Sequence, residues 1–410
     1  MQDKFQNYSC VFVGGLISEE TREFILKNSR RTIQFAADKL QRQYLTGIRQ
    51  YDFKTIYTIS FPFVGNYPRS FKSQTVESEL LDGNGKVIAK QSYSTLSIVS
   101  NIEKRMIFLN YLKKISSHKN DKLIFFFYAL TSEHLNWIKL LRKYYQDIKI
   151  VLIVPDLPIF MNPSLSRYYF YRMIKNKVIE EYRRIQDKID LTITITKSVA
   201  EYLQANNAIV VEGIPNEVSI NNFESLKDDV EDSTEFIVLY TGTLDKMYGV
   251  KDMLESFGKL KDTNIILQIC GDGPMKNEVI EISKQAGNIR YLGILNNLEV
   301  VELQSKSDLL INPRKNDQEF TKYSFPSKIM EYLSSGTPML GYKLSGIPDE
   351  YYDYMYLIEN FNDSLVESLL TISKLEKKEI EKMGINALNF IKNNKLPEHQ
   401  IAKVLANIKI

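Results

Sequence analysis

Tyr323-Ser324-Phe325-Pro326-Ser327-Lys328-Ile329-Met330-Glu331-Tyr332-Leu333-Ser334-Ser335-Gly336-Thr337-Pro338 reads as a short helix built to hold an anion. Ser324 is a candidate N-cap, Pro326 fits the first turn, where its missing N–H costs nothing, and Gly336 with Pro338 stops the helix. Phe325, Ile329, Tyr332 and Leu333 recur at helical spacing and form one apolar face, leaving Ser327, Lys328 and Glu331 on the other. A helix N-terminus carries free N–H groups and about half a positive charge, so a lysine in the first turn suits a bound phosphate better than it suits the helix. A solvated Lys328/Glu331 pair would give the same pattern, so the rest of the chain has to decide.

The chain has 410 residues, 44% hydrophobic and 25% charged, enough for two domains of ordinary size with a cleft between them. No run is long enough to span a bilayer, and the apolar stretch from Cys10 to Ile17 is too short and too rich in glycine for a signal peptide, so a cytoplasmic location is expected. Cys10 and Cys270 each sit in an apolar run, which argues for buried reduced thiols rather than a disulfide or a metal site. His118, His134 and His399 show neither ligand nor triad spacing. Net charge is +3, but residues 1–220 carry +10 and residues 221–410 carry −7. A basic first half points to an acidic partner such as an anionic membrane surface or a phosphorylated acceptor, although cationic domains without such a partner are common.

In the first half, strands are expected at Ser9 to Val13, Thr55 to Ser60, Lys122 to Tyr128, Ile148 to Val154 and Leu191 to Thr196, with helices between them, the first from Asn28 to Thr46. Phe61 to Ser100 interrupts this rhythm with a hairpin turned at Asp82-Gly83-Asn84-Gly85. Ile148 to Val154 runs into Pro155-Asp156-Leu157-Pro158, so Asp156 lies just past a strand's C-terminal end, where open parallel sheets bind ligands; a turn-capping aspartate gives the same local sequence. The helix from Arg167 to Asp187 mixes aromatics and cations, as a core-packed surface helix or one resting on a membrane would. An acidic stretch, Glu224 to Glu235, marks a linker. Strand and helix then alternate again from Phe236 onward, as in a second doubly wound sheet.

Three loops of this second half follow strands at one sheet edge: Thr241-Gly242-Thr243-Leu244-Asp245 with Gly249 beyond it, Gly271-Asp272-Gly273-Pro274, and Asn312-Pro313-Arg314-Lys315 before the quoted helix. Glycines there allow close backbone approach to a ligand, and Arg314 and Lys328 can offset diphosphate charge.

With these loops, Tyr291-Leu292-Gly293, Ser307-Asp308-Leu309-Leu310-Ile311-Asn312-Pro313 and Glu331 through Pro338 in this order, residues 236–360 resemble the GT-B fold glycosyltransferases, in particular the large family four of retaining enzymes that use nucleotide sugars. The form Ser-Phe-Pro-Ser-Lys-x-x-Glu-Tyr is similar to members from bacterial surface-polysaccharide clusters. The resemblance implies an α/β protein of two doubly wound Rossmann-like domains: an acceptor-binding domain at 1–215, a linker at 216–235, a nucleotide-sugar domain at 236–390, and a C-terminal helix at 391–410 packing back on the first domain. Gly14-Gly15 and the Asp156 loop look like parts of the acceptor domain.

By resemblance, Glu331 binds the ribose hydroxyls of the donor. The family's other glutamate, eight positions earlier, falls on Tyr323, and its two phosphate cations fall on Thr243 and Tyr248. Arg314 and Lys328 are then expected to stabilise the departing diphosphate. The expected donor-binding set is Gly14, Gly15, Gly242, Thr243, Tyr248, Gly271, Asp272, Gly273, Tyr323, Ser324, Phe325, Pro326, Ser327 and Glu331, and the expected catalytic set is Asp156, Arg314 and Lys328. No Asp-x-Asp follows an apolar strand, so no metal and no cofactor besides the nucleotide-sugar co-substrate is expected. Asp156 is the candidate to orient or deprotonate the acceptor hydroxyl. The expected acceptor is a saccharide, lipid-linked at an anionic membrane face, and no nucleic acid is expected as a partner. A non-catalytic partner subunit of the same shape and a nucleotide-sugar epimerase are the competing readings.

Overall fold

The computed structural model describes residues 2–30, 35–116, 121–160, 168–215, 234–316, 319–359 and 364–409, which fall into two compact units, Met1–Glu212 with Pro397–Ile410, and Gly213–Leu396. Most of the expected linker, residues 216–233, lies outside the described residues.

In the first unit, β1 (Ser9–Gly14), β2 (Thr55–Ser60), β5 (Leu123–Tyr128), β6 (Ile148–Val154), β7 (Leu191–Thr194) and β8 (Ala208–Val210) form the parallel part of a sheet. Its order is β4-β3-β2-β1-β5-β6-β7-β8. The whole of β5, Leu-Ile-Phe-Phe-Phe-Tyr, is buried, as a strand covered on both faces must be. The expected hairpin forms as β3 (Thr75–Asp82) and β4 (Val87–Ser94), added antiparallel to the sheet's edge at β2.

The sequence reading passed over one helix, α1 (Glu19–Asn28), although Ser18 caps it by accepting from the Thr21 N–H and Glu19 and Glu20 fill its first turn. The helix expected from Asn28 to Thr46 is instead α2 (Phe35–Ile48), and residues 31–34 lie outside the described residues. The next helices are α3 (Ser97–Ile115), α4 (Ser132–Tyr144), α5 (Tyr169–Ile185) and α6 (Lys197–Leu203).

The second unit has a fully parallel sheet ordered β11-β10-β9-β12-β13-β14. Its strands are β9 (Phe236–Thr241), β10 (Ile265–Cys270), β11 (Ile289–Gly293), β12 (Leu309–Asn312), β13 (Met339–Tyr342) and β14 (Tyr356–Ile358). Its helices are α7 (Val250–Gly258), α8 (Lys276–Gln285), α9 (Asn297–Lys306), α10 (Ser327–Leu333), α11 (Ser364–Ile372) and α12 (Lys377–Asn394). The order reverses at β9, so the ends of β9, β10 and β12 open onto one switch point.

The chain re-enters the first unit at Pro397 as α13 (Pro397–Ala406), whose Ile401, Val404 and Leu405 are fully buried. It lies so close to α2 that a Cβ on Gly47 would stand 2.4 Å from the Pro397 carbonyl oxygen. Cys10 and Cys270 are buried free thiols. Among the described residues no helix is long and apolar enough to cross a membrane.

Candidate functional site

The quoted helix forms, but later than its sequence suggests. α10 begins at Ser327, Pro326 occupies the N-cap position, and no side chain caps the helix. Ser324 is not the cap; its hydroxyl accepts from Arg314 Nη2 at 2.9 Å. The apolar face is as read, with Phe325, Ile329, Tyr332 and Leu333 all buried. Tyr332 does more than fill space. Its hydroxyl accepts from the Thr241 N–H at 3.0 Å and donates to the Thr241 carbonyl at 3.2 Å, tying α10 to the end of β9.

That tie brings Lys328 over the first strand-end loop. Its ammonium lies 5.4 Å from the ring centre of Tyr240 and 5.9 Å from that of Tyr332, and a Cβ on Gly242 would stand 1.8 Å from Nζ. Aromatic faces attract a cation, and glycine at 242 makes room for it. Burial pushes the Lys328 amine below the ordinary lysine range, and the carboxylate of Glu331 acts the other way. Lys328 is therefore a partly desolvated cation, ready to gain from an anion brought within reach.

Glu331, one turn further on, is half-buried and accepts from Gln304 Nε2 at 2.9 Å. Gln304 comes from α9 and is wholly buried. No local sequence signal singled it out, because its partners lie in distant segments.

The glycine loops are bound to one another at the sheet edge. The Gly242 N–H donates to the Cys270 carbonyl and the Gly271 N–H to the Gly293 carbonyl, each within the sheet edge. A Cβ on Gly271 would stand 1.8 Å from the Gly242 carbonyl oxygen. Leu244 N–H donates to the Asp272 carbonyl, and Met275 N–H to that of Leu244, so the first two loops are laced together. Close loop-to-loop packing by itself demands glycine at 271. Gly273 belongs to the same lacing, while Asp272 turns its carboxylate outward, 3.5 Å from Lys276.

Arg314 is buried at 6% exposure, with its guanidinium 4.7 Å from the Phe320 ring centre and 5.8 Å from that of Tyr248. Tyr248 thus lines the arginine in the place where the resemblance expects a cation. Thr243 is exposed, and Tyr323 ends the short helical turn Glu319–Tyr323.

In the first unit the Gly14-Gly15 loop is filled by its own neighbours. The Gly15 N–H donates to Gln41 Oε1 at 2.8 Å, and a Cβ on Gly15 would meet the Phe63 ring at 2.7 Å. Asp156 follows β6 as read; it is accessible, yet the protein crowded about it strips hydration and pushes its carboxyl up to about 6. Among the described residues no group of three or more His, Cys, Asp and Glu side chains is placed to hold a metal ion.

Residues 221–390 match the family model described as glycosyl transferases group 1. A stretch of 132 residues is 27% identical to N-acetyl-alpha-D-glucosaminyl L-malate synthase of Bacillus anthracis, covering 31% of this chain and 32% of that protein. The match thus spans about a third of that relative's length. Among solved structures, the apo form of OtsA superposes with a TM-score of 0.62 at 10% identity, over 98% of this chain and 99% of that one. An E. coli trehalose-6-phosphate structure with bound UDP-2-fluoro glucose gives 0.60 at 10% identity, over 98% and 99%. A point mutant of S. aureus TarM, in complex with UDP, fondaparinux and alpha-GlcNAc-glycerol, gives 0.52 at 12% identity, over 95% and 86%. Residues 221–390 are thus similar in sequence to the glycosyl transferases group 1 family, and the chain as a whole has the GT-B fold of these solved structures.

Proposed function

We propose that this chain is a glycosyltransferase that moves a sugar from a nucleotide diphosphate donor to a hydroxyl of a saccharide acceptor. The observation that carries the reading is the Lys328 ammonium, held against Tyr240 and Tyr332 at the end of β9, one helical turn from Glu331. In this reading Glu331 accepts from the ribose hydroxyls. Lys328 and Arg314 neutralise the diphosphate as its bond to the sugar breaks and it leaves with the electron pair. The acceptor oxygen forms the new bond to the anomeric carbon through an oxocarbenium-like state, and its proton passes to a base. Asp156, with a carboxyl near neutrality in pKa, has the chemistry for that base or for steadying the developing positive charge.

The finer features belong to the same proposal: transfer with retention, diphosphate stabilisation by side-chain cations rather than a metal, and a lipid-linked acceptor in bacterial surface polysaccharide synthesis. A peripheral membrane contact draws support from α5, whose first turns expose Tyr169 at 83% and Phe170 at 67% beside Arg172 and Lys175. Flotation with anionic vesicles tests that contact. The enzymatic reading is tested by screening nucleotide sugars for thermal protection and then for donor hydrolysis. A protein that binds none and hydrolyses none would be a partner subunit, and donor isomerised without acceptor would mark an epimerase.

A further inference from the structure

Gln304 holds Glu331 from behind. Its Nε2 is 2.9 Å from Glu331 Oε1 and 3.4 Å from Thr241 Oγ1, while its backbone carbonyl accepts from Thr337 Oγ1 at 2.7 Å. The amide's orientation follows from chemistry: a carboxylate only accepts, so the nitrogen must face Glu331. Its own Oε1 is then left buried with no hydrogen-bond partner among the described residues. An unpaired buried acceptor is unfavourable, and an apolar side chain of the same length would avoid it. Glutamine at 304 thus serves the carboxylate rather than the core. A neutral donor also fixes one carboxylate oxygen without neutralising the charge, which leaves the other oxygen oriented to accept.

We propose that Gln304 is a positioning residue for donor binding: its amide pins Glu331 Oε1 so that the carboxylate meets the ribose hydroxyls of a nucleoside diphosphate. The inference rests on the reading of Glu331 as the ribose ligand. Its signature is selective, because a residue that acts only through Glu331 affects binding only when the ribose hydroxyls are present.

The test is calorimetric titration of the full chain with UDP and with 2′,3′-dideoxyuridine diphosphate, for the wild type, Gln304→Met and Glu331→Ala. Gln304→Met should weaken UDP about five- to tenfold, as expected for loosening a hydrogen bond to a charged group. It should leave the dideoxy analogue's affinity unchanged and the ligand-free unfolding midpoint no lower than the wild type's. Gln304→Leu serves equally if the methionine variant folds poorly. Unchanged UDP affinity in the variant, or equal weakening of both nucleotides, would overturn the inference, the second outcome marking a structural role only. Glu331→Ala judges the underlying reading separately. It should abolish the preference for UDP over the dideoxy analogue, and a preserved preference would remove Glu331 as ribose ligand and this inference with it.

Discussion

The Lys328 ammonium occupies the space a side chain at residue 242 would need, since a Cβ there would stand 1.8 Å from Nζ. Gly242 and Lys328 lie far apart in the second unit's sequence, and each explains the other. The loop has no side chain at that point because the lysine passes over it, and the lysine stays there because Tyr240 and Tyr332 present their rings.

Gly242→Ala tests that relationship. The new methyl displaces the ammonium and imposes a side chain on a backbone with φ of +144°. We expect a stability loss of about 1–3 kcal/mol from the strained backbone. Weaker UDP binding should accompany it, read by urea unfolding and nucleotide titration. Wild-type UDP affinity in this variant would mean that the position of Lys328 is irrelevant to the nucleotide.

Lys328→Ala should lower the transfer rate by roughly 10²–10³ with the fold retained, the scale for losing one group that stabilises transition-state charge. Because burial lowers its pKa, Lys328 loses its proton, and with it the stabilising charge, at a lower pH than an ordinary lysine. The pH profile of kcat should therefore decline on the alkaline side, and Lys328→Arg should shift that decline upward. A near-normal rate in Lys328→Ala would end the assignment.

Arg314 is embedded between Phe320 and Tyr248 and bonded to Ser324, so Arg314→Ala should both destabilise the unit and weaken UDP binding. The stability loss should be about 1–3 kcal/mol, as for losing a hydrogen bond made by a charged group together with its contacts to two aromatic rings. The two effects separate by measurement. Loss of stability with unaltered UDP affinity and transfer rate would make Arg314 a structural brace and leave the diphosphate to Lys328.

The Asp156 carboxyl, raised to about 6, predicts an acidic limb in kcat/KM. As pH falls through that value the carboxylate takes up a proton and the base is lost, so activity should drop roughly tenfold per pH unit below it. Asp156→Asn should remove the limb along with most of the activity. The stability sign is opposite to that of a paired aspartate. A carboxyl raised on folding contributes stability below its unfolded pKa, and loses that contribution as pH rises through its folded value. The asparagine variant should accordingly be no less stable than wild type at pH 8, and an Asn enzyme with full activity would exclude the role.

Much of the architecture was legible because its signals are local. The all-apolar β5, the Asp-Gly-Asn-Gly hairpin turn and the strand–loop–helix rhythm of the second half each announce an element within ten residues or so. α1 was missed although its cap is plain, because Ser18 follows directly on the glycine loop and the segment is only weakly apolar. α10 starts two residues later than a cap at Ser324 implies, since Ser324 looks like a cap until Arg314 claims its hydroxyl.

What the sequence determined by itself was the doubly wound second half, the glycine-bearing strand ends and the helix with Lys328 and Glu331 on one face. Periodicity, turn chemistry and residue order suffice for these, because backbone propensity and burial act over short spans. Only the tertiary structure decided what those residues touch. Gln304 behind Glu331, the tyrosine rings around Lys328 and the glycines cleared for neighbouring loops all depend on strand order and register, which bring distant segments within hydrogen-bond reach and leave no local trace.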